Sequence, residues 1–146
     1  MGSVAVCSFC DIASGASEAF VVYEDDVSLA FLDHRPLFPG HSLLIPRDHH
    51  ETLADLPSAL VGPYFSAAQT LARAIEAAME AQGTFVALNN KVSQSVRHLH
   101  VHVVPRRRRD GLRGFFWPRS KYSGEREMES VADRIRGALG RAASPQ

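Results

Sequence analysis

The chain has 146 residues, 45% of them hydrophobic and 22% charged, which is enough for one soluble domain with a substantial core. Sixteen basic and sixteen acidic residues cancel, so no net charge draws the protein to nucleic acid or to a membrane surface. No apolar run approaches the roughly 20 residues that span a bilayer, and the N-terminus lacks the pattern of a secretory signal, so a cytoplasmic location is expected.

The only two cysteines, Cys7 and Cys10, open the chain in a C-x-x-C spacing. In a reducing compartment this pair reads as half of a zinc site or as a redox motif. A redox motif sits at a helix start after a strand, and no strand precedes Cys7, which favours zinc with two further ligands elsewhere. Asp11 to Glu18 reads as a turn or short helical piece. Phe20–Glu24 and Val27–Asp33 form a predicted antiparallel pair about Asp25-Asp26. His34 to Gly40 is a loop, because two prolines and a glycine deny it a ladder. His41–Pro46 is a third strand, followed by Arg47-Asp48-His49-His50, then Glu51-Thr52-Leu53-Ala54, with Asp55 and Leu56-Pro57 as a helix start.

From Ser58 to about Gln82 the apolar positions Leu60, Tyr64, Ala67, Leu71, Ile75, Ala78 and Met79 recur at helical spacing, with Gly83 as the expected stop. Thr84–Leu88 is a fourth strand, and Lys91–Val96 is a loop. The fifth strand carries the most informative stretch, Arg97 to Arg106. His98, His100 and His102 alternate with Leu99, Val101 and Val103, so a strand would turn the imidazoles to one face and the aliphatics to a core on the other. A solvent-facing ribbon would more usually use Thr, Lys or Glu. Pro105 is the expected strand end. The tail holds Arg106–Arg109, then Phe115-Phe116-Trp117-Pro118, then a terminal helix over Glu125–Leu139 closed by Gly140. The aromatic run reads either as a cover over a ligand or as packing for the last helix. The arginine run reads as a phosphate attractor or as a solvated basic turn. No internal repeat or low-complexity linker occurs. The chain is expected to be a single α+β domain with an antiparallel sheet of about five strands, one long helix and a C-terminal helix.

Three chemistries fit the histidine triplet. All three could ligate a catalytic zinc, although same-face strand positions lie nearly in a line and a tetrahedral ion wants converging ligands. The middle imidazole could be a nucleophile, with its neighbours binding phosphate and moving protons, aided by Ser95 and backbone N–H groups of the Lys91–Ser95 loop. Or the domain could be a zinc-held binding module without catalysis. The second accounts for the most residues. A structural zinc would draw on Cys7, Cys10, one of the His49/His50 pair and His98.

His98-Leu99-His100-Val101-His102-Val103-Val104 resembles the His-φ-His-φ-His-φ-φ signature of the histidine-triad (HIT) superfamily of nucleotidyl hydrolases and transferases. Phe9-Cys10-Asp11-Ile12, Ala30-Phe31-Leu32-Asp33, Pro39-Gly40-His41, Leu44–His49 and Gln94-Ser95-Val96 agree with it in order. The resemblance covers about residues 7–106, leaving 107–146 as a tail that looks more loosely like the fragile-histidine-triad branch. It implies a homodimer whose two sheets join, with the long helix at the interface, and a purine nucleotide substrate such as an AMP conjugate. His100 would attack the α-phosphorus, His102 would contact the phosphate or leaving group, and His41 would stand beside the triad. In zinc-bearing members His98 completes a Cys7, Cys10, His49, His98 site, and its carbonyl could then hold Nδ1–H of His100. Asp33 matches the residue on the ribose hydroxyls and His34 the nucleoside pocket. Asn89 or Asn90, Gln94 and Ser95 match the phosphate loop. That loop is commonly glycine-rich in the family, whereas Asn90-Lys91-Val92-Ser93-Gln94 is short and has no glycine. Transferase and phosphorylase branches replace the third histidine with glutamine, so retention of His102 points to water as acceptor. The DNA-repair members carry an extra zinc-finger module absent from this sequence, so nucleic acid is not an expected partner.

Overall fold

A computed structural model of the chain describes residues 6–113 and 119–143, the last three by their backbone alone. Phe115, Phe116, Trp117 and Pro118 lie outside the described residues. The chain divides into two compact units, one up to Asp110 and one from Gly111.

The first unit is a five-stranded antiparallel sheet in the order β1-β2-β3-β5-β4, formed by β1 (Val21–Glu24), β2 (Ser28–Leu32), β3 (Ser42–Pro46), β4 (Gly83–Ala87) and β5 (Val101–Arg106). Both faces are covered, so β2 and β3 read as apolar runs more than as alternations. On one face α2 (Ser58–Ala78) lays Tyr64, Ala67, Ala68, Leu71 and Ile75 over Ala30, Leu44, Leu99, Val101 and Val103. On the other, α1 (Ser8–Ser14) seats Phe9 with Leu29, Phe31, Leu43 and Ile45. Odd and even positions of the same strand thus serve separate cores. Each fully buried aliphatic such as Leu44 or Ile45 is worth about 2 kcal/mol.

Tyr64 ties α2 to the sheet: its side chain is 1% exposed and its hydroxyl donates to the Leu44 carbonyl at 2.7 Å. Tyr64→Phe would leave that carbonyl lone pair unpaired in a dry core. We expect a loss of about 1–3 kcal/mol, measured as a lower urea midpoint at unchanged m-value.

Several boundaries differ from those the sequence implies. Helix α2 stops at Ala78, four residues before the expected Gln82, and Gly83 opens β4 in place of stopping a helix. The left-handed residue is Glu80 (φ 51°): its N–H bonds the Ala77 carbonyl and the N–H of Ala81 bonds that of Glu76, a Schellman closure made by the main chain. Pro105 does not end β5, which runs to Arg106 opposite Gly83. Pairing with β3 ends at Val103, so at Pro105 the strand has a partner on one side only and a missing N–H is tolerated. The ladder begins only at Val101, so His98 to His100 form a lead-in outside it, pinned by the Leu99 N–H on the His50 carbonyl at 2.7 Å.

The second unit holds α3 (Glu125–Ala143), which passes through Gly140, the expected stop, because the glycine is flanked by helix-forming residues on both sides. Among the described residues no helix is long and apolar enough to cross a membrane.

Candidate active site and metal centre

The histidine-bearing side of the β5 lead-in faces α1, and it is dry. His98 is 0% and His100 3% exposed, because Phe9 stands edge-on to both rings, 5.1 Å from His100 and 6.0 Å from His98. Phe9 is held there by α1, whose N-cap is Cys7, the sulfur accepting the Cys10 N–H, and whose C-cap is Gly15 in the left-handed region (φ 83°).

Two backbone carbonyls set the first two imidazoles. Nε2 of His98 meets the Pro46 carbonyl at 2.8 Å, so it carries the proton and Nδ1 is left as a lone pair. Nδ1 of His100 meets the His98 carbonyl at 2.8 Å, so Nδ1 is protonated and Nε2 is left with a free lone pair. A backbone donor sets the other two. The Leu37 N–H donates to Nδ1 of His41 at 3.0 Å, which puts the His41 proton on Nε2. That N–H donates to Nδ1 of His102 at 3.0 Å, so the His102 proton sits on Nε2. The outcome is one imidazole with a free lone pair, His100, beside one offering a donor, His102, with ring centres 5.0 Å apart.

Gly40 places His41. Its φ of 100° is unfavourable for side-chain-bearing residues, and an added Cβ would lie 2.7 Å from Met79 Cγ and 3.3 Å from Pro105 Cγ. Burial holds His41 below its usual value, against the opposing pull of Asp33, whose carboxylate lies 3.6 Å away. Burial first, then His100 and His41, pushes His102 down to about 4. Folding therefore favours neutral His102. Its contribution is complete above about pH 6.5 and is lost as pH falls toward 4, a change of about 3 kcal/mol. Thermal unfolding between pH 7.5 and 4.5 should show a falling Tm, and His102→Asn should flatten that slope relative to wild type.

Cys7, Cys10, His49 and His98 converge on one point, with all four ligand atoms within 4.8 Å of one another. Nδ1 of His98 lies 3.5 Å from each sulfur, and Nδ1 of His49 lies 3.3 Å from Cys10 Sγ. A tetrahedral zinc with ordinary bond lengths sets its sulfur and nitrogen ligands about 3.5 Å apart. The His98 N–H to Pro46 supplies the outer hydrogen bond that metal-binding imidazoles use. The donor set fits zinc. Burial and the adjacent Cys7 push the Cys10 thiol up to about 11, so a cation must displace its proton and would bind less well in acid. His50 takes no place in this group, although it neighbours His49 in the sequence.

Asp33, His41 and His102 also lie within 4.8 Å. There the Leu37 N–H occupies Nδ1 of His41, so an ion on Nε2 would require a fully deprotonated ring. That group is built for a proton. The three triad imidazoles do not converge on a common ion; His98 is turned to the cysteines.

The remaining residues singled out by the sequence fall around this centre. Asp33 is half-buried and its Oδ1 accepts the Arg35 N–H at 2.9 Å, while His34 is exposed. Asn90 accepts the Leu53 N–H at 2.9 Å, and Gln94 accepts the Lys91 N–H at 2.8 Å and donates to the Glu51 carbonyl at 2.6 Å. Asn89 donates to the Ser93 carbonyl at 3.3 Å, and Ser95 is exposed. Three of the four polar side chains therefore shape the loop itself. Lys91 (φ 69°) and Ser93 (φ 61°) take the left-handed conformations that glycines would provide. In the arginine run, Arg106 forks onto Asp110 at 2.6 and 3.0 Å and Arg107 donates to the Met79 carbonyl, so both guanidiniums serve the fold. Sequence reasoning missed Phe9 as the cover over the triad, and it missed the backbone partners at Leu37 and Pro46. Only Phe9 had a visible signal, its place between the two cysteines.

Fold and site together define a histidine-triad protein: an antiparallel sheet presenting an imidazole with an unprotonated Nε2 beside an imidazole whose Nε2 carries a proton. The HIT domain family matches residues 14–109, and the chain belongs to that family. The adenylylsulfatase HINT3 of Arabidopsis thaliana is 38% identical over 73% of this chain, which spans 55% of that protein's length. The adenosine 5′-monophosphoramidase HNT1 of Saccharomyces cerevisiae is 34% identical over 70% of this chain and 64% of its own. Among solved structures, a HIT family member from Bacillus subtilis superposes with a TM-score of 0.83 at 34% identity, covering 95% of this chain and 99% of that one. A zinc-bound histidine triad protein from Mycobacterium smegmatis superposes at 0.69 with 36% identity, covering 90% and 96%.

Proposed function

We propose that the protein hydrolyses a purine nucleotide conjugate at its α-phosphate, a nucleoside phosphoramidate or a dinucleoside polyphosphate, through a nucleotidyl-His100 intermediate. The observation that carries this is the pair of fixed tautomers: an unprotonated Nε2 on His100 next to an N–H on Nε2 of His102. Nε2 of His100 forms a bond to phosphorus as the bond to the leaving group breaks, and that group departs with the electron pair. The Nε2–H of His102 donates to the oxygen or nitrogen on which charge develops. Water then attacks phosphorus, the P–N bond breaks back onto Nε2 of His100, and the proton of water passes to solvent. Asp33 and His34 would take the ribose and nucleoside, and Asn89, Asn90, Gln94 and Ser95 would frame the phosphate through their loop. The names of the plant and yeast relatives, an adenylylsulfatase and a monophosphoramidase, support an AMP-linked substrate.

Cys7, Cys10, His49 and His98 would hold a structural zinc, which would lock the His98 backbone whose carbonyl positions His100. The zinc-bound relative supports this reading. The edge strand β4, with Val86 44% exposed, and the exposed Val61 and Phe65 of α2 support a homodimer joined along that edge.

The test is stereochemical. AMP-lysine, adenylyl sulfate and diadenosine polyphosphates are offered first to find the best substrate. Its α-phosphorothioate is then hydrolysed in labelled water. Two displacements at phosphorus give retention of configuration, whereas inversion would overturn the covalent intermediate. A chain that turned over none of the panel while binding AMP would be a regulatory nucleotide-binding module.

A further inference from the structure

Helix α3 carries an apolar stripe that the catalytic reading leaves unused. Met128, Val131, Ile135 and Ala138 follow the 3-4-3 spacing of a coiled-coil seam, with Ala132 and Leu139 beside it. Met128, Ile135 and Leu139 are 51%, 56% and 62% exposed, far above what a helix shows on a face it has buried. The polar side is already organised: Arg136 reaches Asp133 at 2.9 Å and Glu129 at 3.3 Å, away from the stripe.

Charge runs one way along the helix. Residues 125–133 hold four carboxylates and one guanidinium, and residues 134–143 hold three guanidiniums and no carboxylate. This polarity complements the helix dipole, which accounts for the charges but not for the stripe. A second copy laid antiparallel would set each acidic half on a basic half and oppose the two dipoles. A parallel copy would set like on like. We propose that α3 pairs antiparallel with α3 of a second copy of this chain, the stripe forming the seam with Met128 opposite Ala138 of the partner helix.

The experiment mixes two full-length, zinc-loaded variants, Met128→Cys and Ala138→Cys, under mild oxidation, with the wild-type chain as blank. Within one helix these positions lie about 15 Å apart, too far for a disulfide, so any 128-to-138 bond joins two chains. The mixture should give covalent dimer in at least about fivefold excess over either variant alone. Adding Ile135→Glu to both chains should abolish that excess, and Ser130→Glu, on the polar side, should leave it unchanged. The proposal is overturned by an absence of excess in the mixture, as when the rest of the chain covers the stripe. Dominant 128-to-128 dimers, the parallel arrangement, would also overturn it, as would an excess that survives Ile135→Glu.

Discussion

His100→Ala should lower turnover of the best AMP conjugate by on the order of 10⁴-fold or more, with nucleotide affinity nearly unchanged. Only His100 combines an unprotonated Nε2, set by the His98 carbonyl at 2.8 Å, with a buried position under Phe9. His102 cannot substitute, because its Nδ1 is occupied by His41 and its Nε2 carries the proton. Removing the proposed nucleophile therefore removes the path, while the loop made by Asn90 and Gln94 stays closed by its own hydrogen bonds. Initial rates and calorimetric titration with AMP separate the two effects. Robust turnover in His100→Ala would assign the attack to another group.

The second large effect concerns the metal centre. Cys7→Ser should reduce bound zinc from one per chain to almost none. A ligand present at about a thousand times its dissociation constant adds about 4 kcal/mol to the folded state. Its loss should lower Tm by about 10–15 °C. The hydroxyl is a poor zinc ligand, but serine is a good N-cap and can still accept the Cys10 N–H that Cys7 accepts, so the loss reports the metal more than the start of α1. At a temperature where the variant stays folded, turnover should fall by less than about tenfold, because the His98 carbonyl keeps its place through the Pro46 and His50 contacts. Metal analysis, thermal melts and rates on the same samples decide this. Loss of all activity on chelation with the fold intact would put the metal in the chemistry itself.

Much of this centre was legible because side chains announce it. The alternation of Leu99, Val101 and Val103 with three histidines marks two faces, and the structure buries those aliphatics at 0–1% exposure against α2. The five strands and long helix were legible from periodicity in the same way. Boundaries were less so. Glu80, and not Gly83, closes α2, because the Schellman bonds are made by main-chain groups and tolerate a non-glycine residue. Pro105 sits inside β5 because sheet order leaves one side of the strand unpaired there, and sheet order is a long-range property.

The sequence by itself determined the inventory: two thiols, seven imidazoles, and a strand period that turns three of the latter one way. It could not separate equivalent imidazoles into roles. That separation rests on the backbone N–H of Leu37 and the carbonyls of Pro46 and His98, at 3.0, 2.8 and 2.8 Å. Every residue but proline carries the same two backbone groups, so no choice of side chain signals which of them meets a ring nitrogen. Tertiary packing alone brings Leu37 to His41 and Pro46 to His98, and with that it leaves a lone pair on Nδ1 of His98 and on Nε2 of His100 and a proton on Nε2 of His102.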